Sequence, residues 1–426
     1  MNKFMHSFPS PDDIVVHDLP NGIRLLMRQN LYAESATCLG YLTAGGICDP
    51  DEKLGLANFT AAALMTGTTQ HDFIALYDTI ESLGANLHFS SGTNITNFSC
   101  QCLAEDLPVL MDLISEILRF PTFPPRQFKR LKSQVMTGLA LRAQDTAEMA
   151  SLEFDKLIYS DHPYARPDEG YIETNLSIEI PDLVNFHQEH YGPSGLVISI
   201  VGAIKPQKVI SQAESIFGNW KNPFQKTPKV IPGLERQTKT SRKHVAIPGK
   251  SQTDIVMGTI GPSRTSEDYL PCAIGNNILG QLGMMGRIGE AVREKQGLAY
   301  YAQSNLNSGQ GPGAWEFNAG VNPANMEKVI ELIKKEIYHY LHEVVTEDEL
   351  NDTKSYLIGS LPLSIESNLG VAISLINMQR FNLGLDHLQN YTAKVNAVGA
   401  EQILEASRKY LSLEGLVVAS AGKPLK

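Results

Sequence analysis

Two stretches of this chain, 220 positions apart, end in the same way. Tyr191-Gly-Pro-Ser-Gly-Leu-Val-Ile-Ser-Ile-Val-Gly202 is echoed by Tyr410-Leu-Ser-Leu-Glu-Gly-Leu-Val-Val-Ala-Ser-Ala-Gly422, and Gly195 aligns with Gly415. Each reads as a turn running into an apolar strand closed by glycine. A pair of amphipathic helices recurs as well: Leu107 to Arg119 then Pro124 to Leu139 is paralleled by Met326 to His342 then Thr346 to Leu361. Two copies of one fold account for this with the fewest assumptions. Each half runs strand, strand, helix, helix, strands, helix, helix, helix, strand. That order predicts an α+β fold of two homologous domains, each a mostly antiparallel sheet with helices packed on one face. Asn222-Pro-Phe-Gln-Lys-Thr-Pro-Lys-Val-Ile-Pro-Gly233 and the polar residues up to Lys243 have the prolines and weak periodicity of a linker. The expected division is therefore 1–222, a linker 223–243, and 244–426.

A chain of 426 residues exceeds one ordinary core, which agrees with two domains. Its net charge of -10 argues against nucleic acid as a partner, because affinity for phosphates comes from Lys and Arg. No run is long enough for a membrane span, and Met1 to Pro11 lacks the apolar centre of a secretory signal, so a cytoplasmic protein is expected. Cys38, Cys48, Cys100, Cys102 and Cys272 are odd in number and scattered, which predicts free thiols and no disulfide framework. Cys100 and Cys102 share a strand face. Without a second cysteine pair they read as buried thiols and not as metal ligands.

Gly55-Leu-Ala-Asn-Phe-Thr-Ala-Ala-Ala-Leu-Met-Thr-Gly-Thr68 places Leu56, Phe59, Ala63 and Leu64 on one helical face, with Gly67 ending the turn. No side chain of this helix titrates. Its surroundings resemble the insulinase (pitrilysin, mitochondrial processing peptidase) family of zinc peptidases. In that family a Gly-Leu-Ala-His-Phe-x-Glu-His run supplies two zinc-binding histidines and a general base. The resemblance extends to the Asn21-Gly22 hairpin, to the strand Thr37 to Thr43, and to the loop His162-Pro-Tyr-Ala-Arg-Pro-Asp-Glu-Gly170. On that pattern the histidines become Asn58 and Ala62 and the glutamate becomes Ala61. The family's third ligand should fall near Thr137 to Leu139, where no Asp or Glu occurs between Glu116 and Asp145. Zinc catalysis needs three protein ligands and an open position, so no metal is expected in this chain.

The second half carries Ile278-Leu-Gly-Gln-Leu-Gly-Met-Met-Gly-Arg-Ile-Gly-Glu-Ala-Val-Arg-Glu-Lys-Gln-Gly-Leu-Ala-Tyr300. Gly280, Gly283, Gly286 and Gly289 are too frequent for an ordinary helix interior and suggest close backbone approach or a mobile loop. A phosphate cradle would require a Gly-Lys-Ser/Thr ending, which is missing. In the family this region reads Leu-Gly-Gly-Gly-x-x-Ser-Arg-Leu followed by Val-Arg-Glu-Lys-x-Gly-Leu-Ala-Tyr. The resemblance therefore implies substrate-binding roles for Gly280, Gly283, Gly286 and Arg287, and an Arg293/Tyr300 pair offered to an active site. A tyrosine hydroxyl can donate to a developing oxyanion, and an arginine fork can hold substrate carbonyls or carboxylates. The plainer alternative pairs Arg293 with Glu290 or Glu294 at the surface and buries Tyr300 at the start of a strand.

His187/His190 and His339/His342 each place two histidines three apart, without an evident third ligand, and read as solvated or capping side chains. Taken together, the resemblance implies a non-catalytic, substrate-binding subunit of a heterodimeric zinc metallopeptidase. Its partner would be a homologous chain with an intact His-x-x-Glu-His motif and its zinc, and the substrate would be a peptide. The alternative within the same family is a non-enzymatic scaffold or peptide-binding protein, with a homodimer possible.

Overall fold

The computed structural model describes residues 8–281 and 286–424. Gly283, one of the expected substrate-binding glycines, lies outside the described residues. The chain forms two compact units that are not continuous in sequence. One comprises residues 1–139, 166–230 and 361–389, and the other 140–165, 231–360 and 390–426. The contiguous division expected from the linker differs from this in two exchanged segments, 140–165 and 361–389.

The first unit is built on strands β1 (Ile14–Asp18), β2 (Arg24–Gln29), β3 (Ser35–Leu42), β4 (Asn86–Ser91), β5 (Thr96–Leu103) and β6 (Val197–Gly202). They lie in the order β1-β2-β6-β3-β5-β4. The second uses β7 (Ser241–Ala246), β8 (Thr253–Ile260), β9 (Ala299–Leu306), β10 (Ala314–Val321) and β11 (Val417–Gly422), in the order β7-β11-β8-β10-β9. Only β2 with β6 and β7 with β11 run parallel. Apart from β1, the two orders superimpose strand for strand, so the sequence repeat is a repeat of topology. The repeated terminal glycines share a reason. Gly202 and Gly422 both have φ of +150°, and a Cβ on either would strike the backbone of the neighbouring strand at Ala36 or Thr253.

The helices of the first unit include α1 (Leu56–Ala63), α2 (Phe73–Ser82), α3 (Leu107–Arg119), α4 (Pro125–Arg142), which runs on to the unit boundary, α6 (Ile172–Ser177), α7 (Ile180–His190), α8 (Pro206–Phe217) and α13 (Asn368–Arg380). The second has α5 (Thr146–Tyr159), α9 (Tyr269–Asn276), α10 (Arg287–Gly289), α11 (Met326–His342), α12 (Glu347–Ser364), α14 (His387–Ala397) and α15 (Ala400–Tyr410). The helix layer expected on one face of the second sheet is present: Ile255, Met257, Phe317 and Val418 pack with Ile330, Ile333 and Ile403 of α11 and α15.

The opposite face is also covered, by one exchanged helix per sheet. Strands β6, β8 and β11 are buried at every residue, and a strand that is apolar on both sides needs cover on both. In the second unit α5 supplies it. Ala150, Phe154 and Ile158, four apart on one stripe, pack on Val256, Ile260, Val417 and Ala419. Each of the two larger side chains contributes roughly 2 kcal/mol. In the first unit α13 lies against β3 and β6. Ser367 caps its start, and Asn368 Nδ2 donates to Ser35 O at 3.2 Å.

Among the described residues no single helix is long and apolar enough to cross a membrane. The pair α12 and α13 meets that measure only jointly.

Candidate functional site

Helix α1 forms where the periodicity places it, with Leu56, Phe59, Ala63 and Leu64 buried. Asp49 sets its start. One carboxylate oxygen accepts the Gly55 N–H and the other the Ala57 N–H, both at 2.8 Å, which satisfies donors that a helix N-terminus leaves unpaired. Ala61 is fully buried, Ala62 is half-buried, and Asn58 Nδ2 reaches the Ser91 carbonyl of edge strand β4 at 3.4 Å. On α4 the Thr137 hydroxyl donates to its own helix at Ser133 O, and Leu139 is buried. Two alanines and an amide do not fit a zinc ion. Among the described residues no three His, Cys, Asp or Glu side chains gather closely enough to hold a metal.

In the second unit Gly280 and Gly286 serve close packing. A Cβ on Gly280 would lie 2.7 Å from Ser304 N of β9, and one on Gly286 would lie 2.6 Å from Gly280 Cα. Three backbone segments therefore touch where any side chain would separate them. Ser304 and Trp315 Nε1 both donate to Asn276 Oδ1 behind this contact.

Arg287, expected to face substrate, is engaged inside its own unit. Its Nε and Nη2 form a fork on Glu349 at 2.6 and 2.8 Å, with side chains 18% and 29% exposed, and the guanidinium sits 5.9 Å from the Tyr340 ring centroid. Glu349 is also the third residue of α12 in a capping box. It accepts the Thr346 N–H at 2.9 Å while its own N–H donates to Thr346 Oγ1 at 3.2 Å. Burial alone would raise the Glu349 carboxyl, but the Arg287 fork and the Thr346 donors outweigh it and hold it at about 2.

Arg293 and Tyr300 behave differently. Arg293 lies near the end of a short π-helical stretch, Glu290–Glu294, and approaches Glu294 at 3.8 Å, with both side chains about half exposed. Such a pair stabilises little. Gly297, at φ +61°, closes this helix: its N–H donates to Arg293 O, and the Leu298 N–H donates to Val292 O. The chain then enters β9, an edge strand. Tyr300 is 68% exposed, so it does not begin a buried strand. In the register of β9 with β10, Ala299 faces Val321 and Tyr301 faces Gly320. Tyr300 is the additional residue of a β-bulge, a device that re-aims one side chain.

The histidine pairs are structural. His187 Nε2–H donates to Leu118 O at 2.9 Å and its ring stacks on Tyr191. Burial pushes His190 down to about 4. His342 Nδ1–H donates to Tyr338 O, and His339 lies 3.6 Å from Glu343. His162 pins its loop, accepting the Tyr164 N–H at Nδ1 and donating from Nε2 to Pro232 O. All five cysteines are buried and unbridged. Two features went unread in the sequence. One is a pair of carboxylates in the first unit, Asp49 buried and Asp168 half-buried: desolvation raises Asp49 to about 7 against its backbone donors, and Asp168 to about 6 against a Thr93 hydrogen bond. The other is the buried Asp254 of β8, whose only sequence signal is a carboxylate inside an apolar strand.

The fold and the position of α1 within it define an insulinase-type peptidase architecture. Residues 24–165 match the family described as insulinase (peptidase family M16), and residues 177–357 match the peptidase M16 inactive domain. The chain belongs to the insulinase family of peptidases. It is 24% identical to an uncharacterized zinc protease of Streptomyces coelicolor over 82% of this chain and 76% of that one. It is 21% identical to a probable mitochondrial-processing peptidase subunit beta of Arabidopsis thaliana, over 98% of this chain and 80% of that one. Among solved structures, the peptidase M16 inactive domain from Pseudomonas fluorescens matches with a TM-score of 0.90 and 26% identity, covering 97% of this chain and 98% of that one. A protease from Helicobacter pylori matches in fold, with a TM-score of 0.89 at 18% identity over 98% of this chain and all of that one.

Proposed function

We propose that this chain is the non-catalytic, substrate-binding subunit of a two-chain zinc metallopeptidase, acting in the cytoplasm. Its partner is a homologous chain that retains His-x-x-Glu-His and holds the zinc. The observation that carries the reading is a contrast within one polypeptide: α1 has Asn58, Ala61 and Ala62 at the metal positions, while Tyr300 is lifted into solvent on a bulge near Arg293 in sequence. An exposed phenol and a half-exposed arginine in loose 3.8 Å contact with Glu294 have little packing role. Aimed at a peptide carbonyl under attack, the phenol donates to the oxyanion and the guanidinium holds the neighbouring chain. The edge strands β4 and β9 present unpaired backbone groups on which an extended peptide can add as a further strand.

The test mixes the purified chain with its zinc-bearing homologue and follows cleavage of a fluorogenic peptide. Alone, this chain cleaves nothing. The mixture cleaves, and Tyr300→Phe lowers its kcat by about 10²-fold or more. Cleavage by the isolated chain, or full activity of the Tyr300→Phe complex, overturns the assignment.

A further inference from the structure

The bulge that exposes Tyr300 is held by groups that no motif marks. Tyr301 is the next residue, and its side chain crosses the sheet sideways. Its hydroxyl donates to Asp254 Oδ1 at 2.6 Å, although Asp254 belongs to β8, two strands away from β9. The crossing is possible because the strand between them carries Gly320 at that row, opposite both Tyr301 and Asp254. A Cβ there would lie 2.5 Å from the Tyr301 ring and 2.9 Å from Asp254 Oδ1. Asp254, 1% exposed, is itself fixed by Gln252 Nε2 at 3.0 Å and by the hydroxyl of Thr146 at the start of α5. Buried carboxylates persist only when donors satisfy them, and three donors converge here.

The consequence lies in the register. Ala299 packs against the helix-layer core, and Tyr301 is tied to the opposite face beside α5. Two residues that should share a face in a regular strand are thus anchored to opposite faces. The residue between them cannot fall into the ladder, because a one-residue slip would carry Tyr301 away from Asp254.

We propose that Asp254, Gly320 and Tyr301 form a positioning set that locks the β9 bulge and thereby aims Tyr300 at the peptide. This rests on the role given to Tyr300 above, so the test reads position separately from activity. A 3-fluorotyrosine is placed at position 300, and a control label at position 356, an exposed tyrosine of α12. Fluorine NMR is recorded for the folded chain and for its Tyr301→Phe and Gly320→Ala variants. The first variant keeps the ring and removes the tether; the second keeps the tether's chemistry and blocks its path. In both, the signal at 300 shifts and broadens while that at 356 does not. In the two-chain mixture, Tyr301→Phe lowers kcat by about ten-fold with KM changed by less than about two-fold, as expected when an oxyanion donor is misaimed. An unchanged signal at 300 in both variants overturns the proposal. So does a displaced signal with unaltered kcat, in a mixture that Tyr300→Phe impairs. If Tyr300→Phe is harmless, the functional reading fails, and the fluorine spectra still decide whether the bulge is held by this set.

Discussion

Removing the Arg287 fork separates a structural arginine from a substrate-binding one. Glu349 titrates at about 2 where an ordinary glutamate stands at 4.5, a difference equivalent to about 3 kcal/mol. Glu349 keeps 29% of its side chain exposed, so solvent screening reduces this to about 2 kcal/mol. Because the folded value is depressed, the contribution is complete above pH 4.5 and disappears as the pH falls through 2. Glu349→Gln retains an acceptor for the Thr346 N–H but removes the charge that Arg287 grips; Arg287→Met removes the grip and leaves the capping box. Each is expected to lower unfolding free energy in urea by about 2 kcal/mol at pH 7, with the Glu349→Gln deficit shrinking toward pH 3. Peptide affinity of the two-chain mixture should be unchanged when measured below the unfolding transition. Undiminished stability of Arg287→Met together with weakened peptide binding would refute the assignment of Arg287 to the fold.

Stability should also vary with pH near neutrality. Asp49 at about 7 and Asp168 at about 6 are raised by burial, so the folded state takes up protons as the pH falls from 8 to 6.5 and gains about 1 kcal/mol. His187 and His190 are lowered by burial and oppose this over the same range, because the unfolded state, with ordinary histidines near 6.5, charges them first. Stability in urea should therefore rise by less than about 1 kcal/mol from pH 8 to 6.5, and Asp49→Asn should turn that rise into a fall. In the first unit, Ala61→Glu places a carboxylate at a fully buried position and should cost about 2 to 4 kcal/mol in thermal or urea unfolding. Combining it with Asn58→His and Ala62→His should not create a stoichiometric zinc site, because α4 offers no third ligand; one zinc per folded chain by elemental analysis would contradict this.

The elements themselves were legible because they depend on neighbours in sequence. Helix α1 follows from the spacing of Leu56, Phe59, Ala63 and Leu64, and the topological repeat from two glycine-closed apolar strands. That Asn58, Ala61 and Ala62 stand close together was legible too, since they lie about one turn apart on α1. Which of Arg287 and Arg293 is gripped within the fold was not legible, because the two lie six residues apart in one stretch. What distinguishes them is Glu349, far along the chain, which occupies one guanidinium and not the other.

The sequence by itself determined the α+β elements, their duplication, and that α1 carries Asn58, Ala61 and Ala62 and no titratable side chain, because periodicity, turn chemistry and residue identity are local properties. Only the tertiary structure decided which helix covers the second face of each sheet. The stripe of Ala150, Phe154 and Ile158 demands an apolar surface without specifying whose. It also decided that Tyr300 stands clear of the sheet, since that depends on Tyr301 reaching past Gly320 to Asp254, three residues drawn from three strands that meet only when the sheet is assembled.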